Sequence, residues 1–225
     1  MRSIKTVGVM AMLVAATATA GAQAGRPFHD SWFWGVRGGI LTYSPANTLN
    51  LAQPGASSSA PMVGGDWLIT RTTGGLYVSY SQAFLTTTGA VLNGPTSADT
   101  GYRSVAISGM RRFDVLGMMF PGDYLKWHPY LGFGVSFRYL GDAAPGGQFT
   151  NQKQIDYANS AVNDTKASLG PAFMLGIQRR TPWFSVFGQS MVSVMSKDFL
   201  LANGHTANIS AEFGIRYNLG SSIDR

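Results

Sequence analysis

The sequence predicts an all-β fold: an eight-stranded antiparallel up-and-down β-barrel that crosses a membrane. Three observations carry the prediction. Eight stretches alternate large apolar residues with small or polar ones at period two, the repeat of a strand. Only 12% of the residues are charged, against about 25% in soluble domains, so the chain has little charge with which to coat a wetted surface. Beyond the N-terminal segment no uninterrupted apolar run reaches the roughly 20 residues of a spanning helix, so any membrane span must be made of strands.

The N-terminal segment comes first. Arg2 and Lys5 give a positive start, residues 7–18 are mostly apolar, and Ala22-Gln23-Ala24 fits an Ala-x-Ala cleavage site. Residues 1–24 are therefore expected to be a removed signal peptide. The competing reading, an N-terminal anchor, needs a longer apolar run. Residues 25–225 then form one barrel domain, and loss of Arg2 and Lys5 takes the formal charge from +6 to +4. The remaining basic residues are scattered, which with export speaks against nucleic acid as a partner. There are no cysteines, so neither disulfides nor thiolate metal sites contribute, and a closed sheet has to supply the stability.

The strands are expected at residues 32–43, 62–71, 75–85, 101–113, 129–141, 166–179, 183–196 and 207–220. Most meet the roughly 9–11 residues that a tilted strand needs to cross a bilayer. The eighth is the clearest. Ile209, Ala211, Phe213, Ile215, Tyr217 and Leu219 take one face, while Ser210, Glu212, Gly214, Arg216 and Asn218 take the other. In the fifth, Leu131, Phe133, Val135, Phe137 and Tyr139 oppose Gly132, Gly134, Ser136 and Arg138. In the sixth, Leu169, Pro171, Phe173, Leu175 and Ile177 oppose Ser168, Gly170, Ala172, Met174, Gly176 and Gln178.

The links also alternate. Thr72-Thr73-Gly74 and Arg180-Thr181-Pro182 are short, residues 114–128 make a somewhat longer third link, and these are assigned to the periplasmic side. Residues 44–61, 86–100, 142–165 and 197–206 are expected to be outer loops. Short turns on one side, long loops on the other and an even strand number describe a bacterial barrel with both termini periplasmic.

A soluble ligand-carrying barrel also alternates, but it turns its bulky apolar residues inward and its charges outward. Here the second face is mostly Gly, Ser and Ala, which suits the narrow interior of eight strands. The few charges on that face are Arg37, Asp66, Arg138, Glu212 and Arg216. One reading is a lumenal ion-pair network that plugs the barrel, with Glu212 near Arg37 because the last strand closes on the first. The other places each charge at a lumen mouth in water. Trp32, Trp34, Trp127, Tyr130, Trp183, Phe184 and Tyr217 fall near the periplasmic strand ends, where an interfacial aromatic girdle belongs.

In the last strand Glu212-Phe213-Gly214-Ile215-Arg216-Tyr217-Asn218-Leu219 resembles the polar-x-Gly-x-x-aromatic-x-apolar signal of the eight-stranded outer-membrane barrels of the OmpA transmembrane-domain, OmpX and OmpW type. Glu212, Gly214, Tyr217 and Leu219 match it position by position. The departure is at the end, where the family signal closes the chain on an aromatic residue and this chain has Leu219 followed by six more residues, 220–225. The Gly-rich opening, Gly35-Val36-Arg37-Gly38-Gly39-Ile40, is similar to first strands of the family. The resemblance implies a bacterial outer-membrane location and insertion from the periplasm by the barrel-assembly machinery with periplasmic chaperones. Outer-membrane lipid and lipopolysaccharide are the expected surroundings, and the expected state is a monomer.

No catalytic, cofactor or metal site is expected. Some barrels of this size modify lipid A, which takes a His near a Ser and a carboxylate. His29 and His128 lie at the periplasmic end, and in His205-Thr206-Ala207-Asn208 an Ala stands where the lipid A deacylases carry the nucleophilic Ser. The adjacent His29-Asp30-Ser31 cannot form a relay on an extended chain. Asp142, Asp156 and Asp164 match no Ca²⁺-loop spacing. A structural or surface-interaction role is the leading expectation. The alternative is a narrow OmpW-like passage for small apolar solutes, lined by the inward Met174, Met191 and Met195.

Overall fold

The computed structural model describes residues 28–45, 57–72, 74–92, 102–121, 127–181, 183–202 and 205–221. The expected signal peptide and parts of several connections, Thr73 and Pro182 among them, lie outside these residues. Eight strands run in chain order: β1 Ser31–Tyr43, β2 Ser58–Thr70, β3 Gly75–Leu92, β4 Tyr102–Met119, β5 Trp127–Pro145, β6 Ala167–Arg180, β7 Phe184–Val194 and β8 Ala207–Ser221. Each pairs antiparallel with its sequence neighbours, and β8 pairs with β1 to close the barrel. Closure pairs every strand on both sides along most of its length and leaves no edge strand.

The period-two pattern decides which side chains enter the lumen. In β8 Asn208, Ser210, Glu212, Arg216 and Asn218 are buried inside, while Phe213 on the outer wall is 71% exposed. In β6 and β5 the outer wall is equally apolar, with Leu169 at 66% and Phe133 at 62% exposed. Water-soluble barrels do not expose side chains of this kind around the whole circumference.

Several elements differ from the sequence expectation. β3, β4 and β5 are longer, with 18, 18 and 19 residues. Residues 86–92 continue β3 because Leu85, Gly89 and Val91 keep facing inward, and Thr86, Thr87 and Thr88 are β-branched strand formers rather than loop residues. Residues 114–119 belong to β4, which brings Asp114 inside instead of into a link. The expected loop over residues 142–165 contains a helix, α1, Gln152–Thr165, whose N-cap Asn151 accepts a hydrogen bond from Gln154 N at 3.0 Å. Its only buried residues are Ala158 and Val162, a stripe too short to show as a 3.6-residue period.

The β3–β4 ladder carries a bulge. Ala83 pairs with Met110 and Thr86 with Ser108, so Phe84 and Leu85 of β3 oppose the single Gly109 of β4. Gly109, at φ +81°, holds a conformation that side chains disfavour and lets the inward face pass from Met110 to Ile107.

The lumen is filled in layers. At the end that carries the termini, Phe33, Leu68, Leu116, Met118, Met174 and Phe187 pack together, and Phe28 sits across them, edge-on to Phe120 at 5.0 Å. At the other end Leu41, Met62, Ile107 and Leu140 pack beneath Val162 of α1 and residues 199–202 of the β7–β8 connection. Backbone hydrogen bonds from Ser44 N to Leu201 O (3.1 Å) and from Leu200 N to Thr165 O (3.2 Å) pin that cap in place. Between the two apolar layers lies the polar one.

Candidate functional site

The polar layer is built from side chains that alternate along β1 to β5, β7 and β8, all turned inward by strand periodicity. At its centre two arginines and two carboxylates alternate around a ring. Arg37 Nη1 lies 3.0 Å from Glu212 Oε2, and its Nη2 lies 3.6 Å from Asp114 Oδ2. Arg112 Nε reaches Asp114 Oδ2 at 3.1 Å, and its Nη2 bonds Glu212 Oε1. All four side chains are buried.

Neutral groups complete the shell. Ser79 and Ser136 donate to Asp114 at 2.8 and 2.7 Å. Ser210 donates to Glu212 Oε1 at 2.7 Å, and Gln189 Nε2 donates to Glu212 Oε2 at 2.9 Å. Arg37 also donates to the Tyr77 hydroxyl and, at 2.9 Å, to Ser79 Oγ. Isolated charges in such a place cost many kcal/mol; shared hydrogen bonds of this density are what lets them stay.

A second pair sits toward the terminal end. Arg216 Nε bonds Asp66 Oδ2, its guanidinium lies 3.6 Å from the centre of the Phe187 ring, and its Nη2 donates to Gln189 Oε1 at 3.2 Å. The Tyr130 hydroxyl donates to the same Gln189 oxygen at 2.9 Å. Gln189 therefore joins the two clusters.

Of the five lumenal charges read from the sequence, Arg37 and Glu212 meet across the β1–β8 seam, and Asp66 and Arg216 meet beside them. Arg138 stands apart. It is fully buried, yet its one hydrogen bond among the described residues runs from Nη1 to Val194 O at 3.2 Å. Gln178 is likewise buried in the terminal half, and its amide atoms have no partner among the described residues. Sequence reasoning missed Arg112, Asp114, Tyr77 and Gln189. For Arg112 and Asp114 the signal was the alternation of Met110, Arg112 and Asp114 against Phe113, masked by the neighbouring Arg111 and by a link expected to begin at residue 114, inside β4.

The four residues of the last-strand signal divide by face: Glu212 and Gly214 point inward, and Tyr217 and Leu219 lie on the outer face. Gly214 is required by the seam, since a Cβ there would lie 2.3 Å from Val36 O and 2.7 Å from the Phe187 ring. Gly214→Ala is expected to cost about 1–3 kcal/mol through this overpacking, read as a lower urea midpoint of the refolded barrel.

The expected aromatic girdle needs one correction. Trp34, Trp127 and Phe184 are exposed on the outer wall, and Trp32 packs edge-on to Trp67 at 5.1 Å. Tyr130, however, is fully buried in the lumen, because it shares the inward face of β5 with Gly132 and Gly134. His29 and His205 are exposed, Asp142 is exposed near the loop end of β5, and Asp156 and Asp164 lie on α1. Among the described residues no three His, Asp or Glu side chains are placed to share a metal ion.

No protein-family model and no curated protein sequence matches the chain. Solved structures do resemble it. Neisserial surface protein A aligns over 83% of this chain and 95% of its own, with a TM-score of 0.52 at 11% identity. The outer membrane protein OprG from Pseudomonas aeruginosa aligns over 86% and 98%, with a TM-score of 0.47 at 14% identity. The attachment invasion locus protein Ail of Yersinia pestis aligns over 84% and 99%, with a TM-score of 0.40 at 10% identity. The chain thus has a closed, eight-stranded, up-and-down barrel fold similar to that of Neisserial surface protein A.

Proposed function

We propose that this protein is a bacterial outer-membrane barrel with a structural or surface-interaction role, its lumen closed and its outer wall and loops serving as the working surfaces. The filled lumen carries this reading: an apolar layer at each end encloses the Arg37–Asp114–Arg112–Glu212 ring. The apolar outer wall supports a lipid environment. The short connections at the terminal end and the long ones opposite support periplasmic termini. Outward Tyr217 and Leu219, with inward Glu212 and Gly214, are the features by which the assembly machinery would read β8.

Planar-bilayer recording of the refolded protein tests the reading. The unaltered chain is expected to give no reproducible conductance steps, whereas steps from a folded sample, enlarged by Glu212→Ala, would replace the plug with a gated pore.

A second reading has one observation in its favour. The β6–β7 ladder stops at Ala172↔Ser193, while β6 runs on to Ala167 paired only with β5. Pro171 has no N–H to offer there. Side chains bridge the gap instead: Ser168 Oγ accepts from Ser196 N at 2.9 Å, and Arg138 donates to Val194 O. Met174, Met191 and Met195 lie inward nearby. A small apolar solute leaving sideways into lipid would use this gap. Uptake of such a solute into protein-loaded vesicles, without ionic conductance, distinguishes it.

A further inference from the structure

The outer wall of β4, β5 and β6 is bracketed by cations. Arg179 faces outward beside Trp127 at the terminal end, and Arg111 faces outward beside Tyr139, itself paired with Ala167, at the loop end. The outward side chains of β6 between those levels are Leu169, Pro171, Phe173, Leu175 and Ile177. From Arg179 to Ala167 about 12 residues at ~3.3 Å per residue and a tilt of about 40° rise roughly 30 Å. The same tilt sets Arg111, two strands away, about 6 Å lower, which leaves roughly 24 Å, close to the apolar band of such barrels. Arg111 therefore sits at headgroup height.

Two further features meet there. Arg111 is exposed and has no ion-pair or hydrogen-bond partner among the described residues. The Lys166 ammonium lies 5.4 Å from the centre of the Tyr139 ring and donates to Asn163 Oδ1 at 2.6 Å, and Arg111 is the register partner of Tyr139 on the neighbouring strand β4. Loopward of Arg111, the extended β3–β5 wall changes from apolar to polar. It carries an open groove of about 570 Å³ lined by Thr86, Thr88, Ser108 and Asp142.

We propose that Arg111, Tyr139 and Lys166 form a site for the phosphorylated sugar headgroup of a glycolipid in the loop-side leaflet. The phosphate lies between the guanidinium and the ammonium, where Arg111 can offer two parallel N–H donors. The sugar hydroxyls lie over Thr86, Ser108 and Asp142, and the acyl chains run down the apolar wall below. The site rests on the membrane-spanning reading given above.

The test uses the refolded protein in detergent micelles, with diphosphoryl lipid A, its dephosphorylated form and phosphatidylglycerol as probes, and bound lipid counted by native mass spectrometry. The unaltered chain is expected to hold diphosphoryl lipid A at least tenfold more tightly than either of the other lipids. The double variant Arg111→Gln/Lys166→Gln loses that preference with its heat-modifiable gel mobility intact, and Arg179→Gln keeps it. Unchanged lipid A affinity in the double variant, or phosphatidylglycerol held as tightly as lipid A, overturns the site. Failure of the unaltered chain to insert into vesicles overturns the membrane reading instead, and is scored before any variant is made.

Discussion

Glu212→Ala is expected to destabilise the folded barrel by about 3–5 kcal/mol, the largest effect of any single substitution in the polar layer. Glu212 is one of the two carboxylates that Arg37 and Arg112 share, and it also receives Ser210 and Gln189. Its removal leaves two buried guanidinium groups facing each other with only Asp114 between them, and breaking one partner of a buried pair carries a cost of that size. Urea unfolding in lipid vesicles, followed by tryptophan fluorescence, measures it. Glu212→Gln retains the hydrogen-bond geometry without the charge and should fall between the two. A loss below about 1 kcal/mol for Glu212→Ala would mean that water, rather than the ring, solvates the arginines.

Phe213→Arg is expected to cost about 2–4 kcal/mol in the same measurement, the figure for a cation on the lipid face at the bilayer midplane. Phe213 lies midway along β8, paired with Gly38 and Gly188, and is 71% exposed. Thr88→Arg, on the extension of β3 beyond the apolar band, should be close to neutral. In a water-soluble barrel both substitutions would sit within about 0.5 kcal/mol of the unaltered chain. Equal effects at the two positions would therefore remove the membrane from the account.

The assignment of faces in β8, β6 and β5 could be read in advance because a strand has one strict local rule: alternate side chains go to opposite sides. The contact of Arg37 with Glu212 lies at the seam, where closing a barrel brings the last strand to the first. Heights around the ring were not legible. Arg112 meets Glu212 across 100 residues of sequence only because tilt and stagger bring β4 and β8 to one level in the lumen. Arg138, on the same face rule, ends beside the β6–β7 gap and outside the ring.

Helix α1 shows the same division in another form. Its two buried residues make no recognisable stripe, and it is stabilised by an Asn151 cap and by the mouth of the barrel on which it packs. What the chain by itself determined was a closed eight-stranded sheet, its inner and outer faces, and the small residues that a narrow interior takes. These depend on period and composition. What only the tertiary structure decided was which buried charges become partners, where the lumen is capped, and which outward cation lies at the edge of the apolar band. Those depend on register, tilt and bulges, which arise only when all eight strands are paired at once.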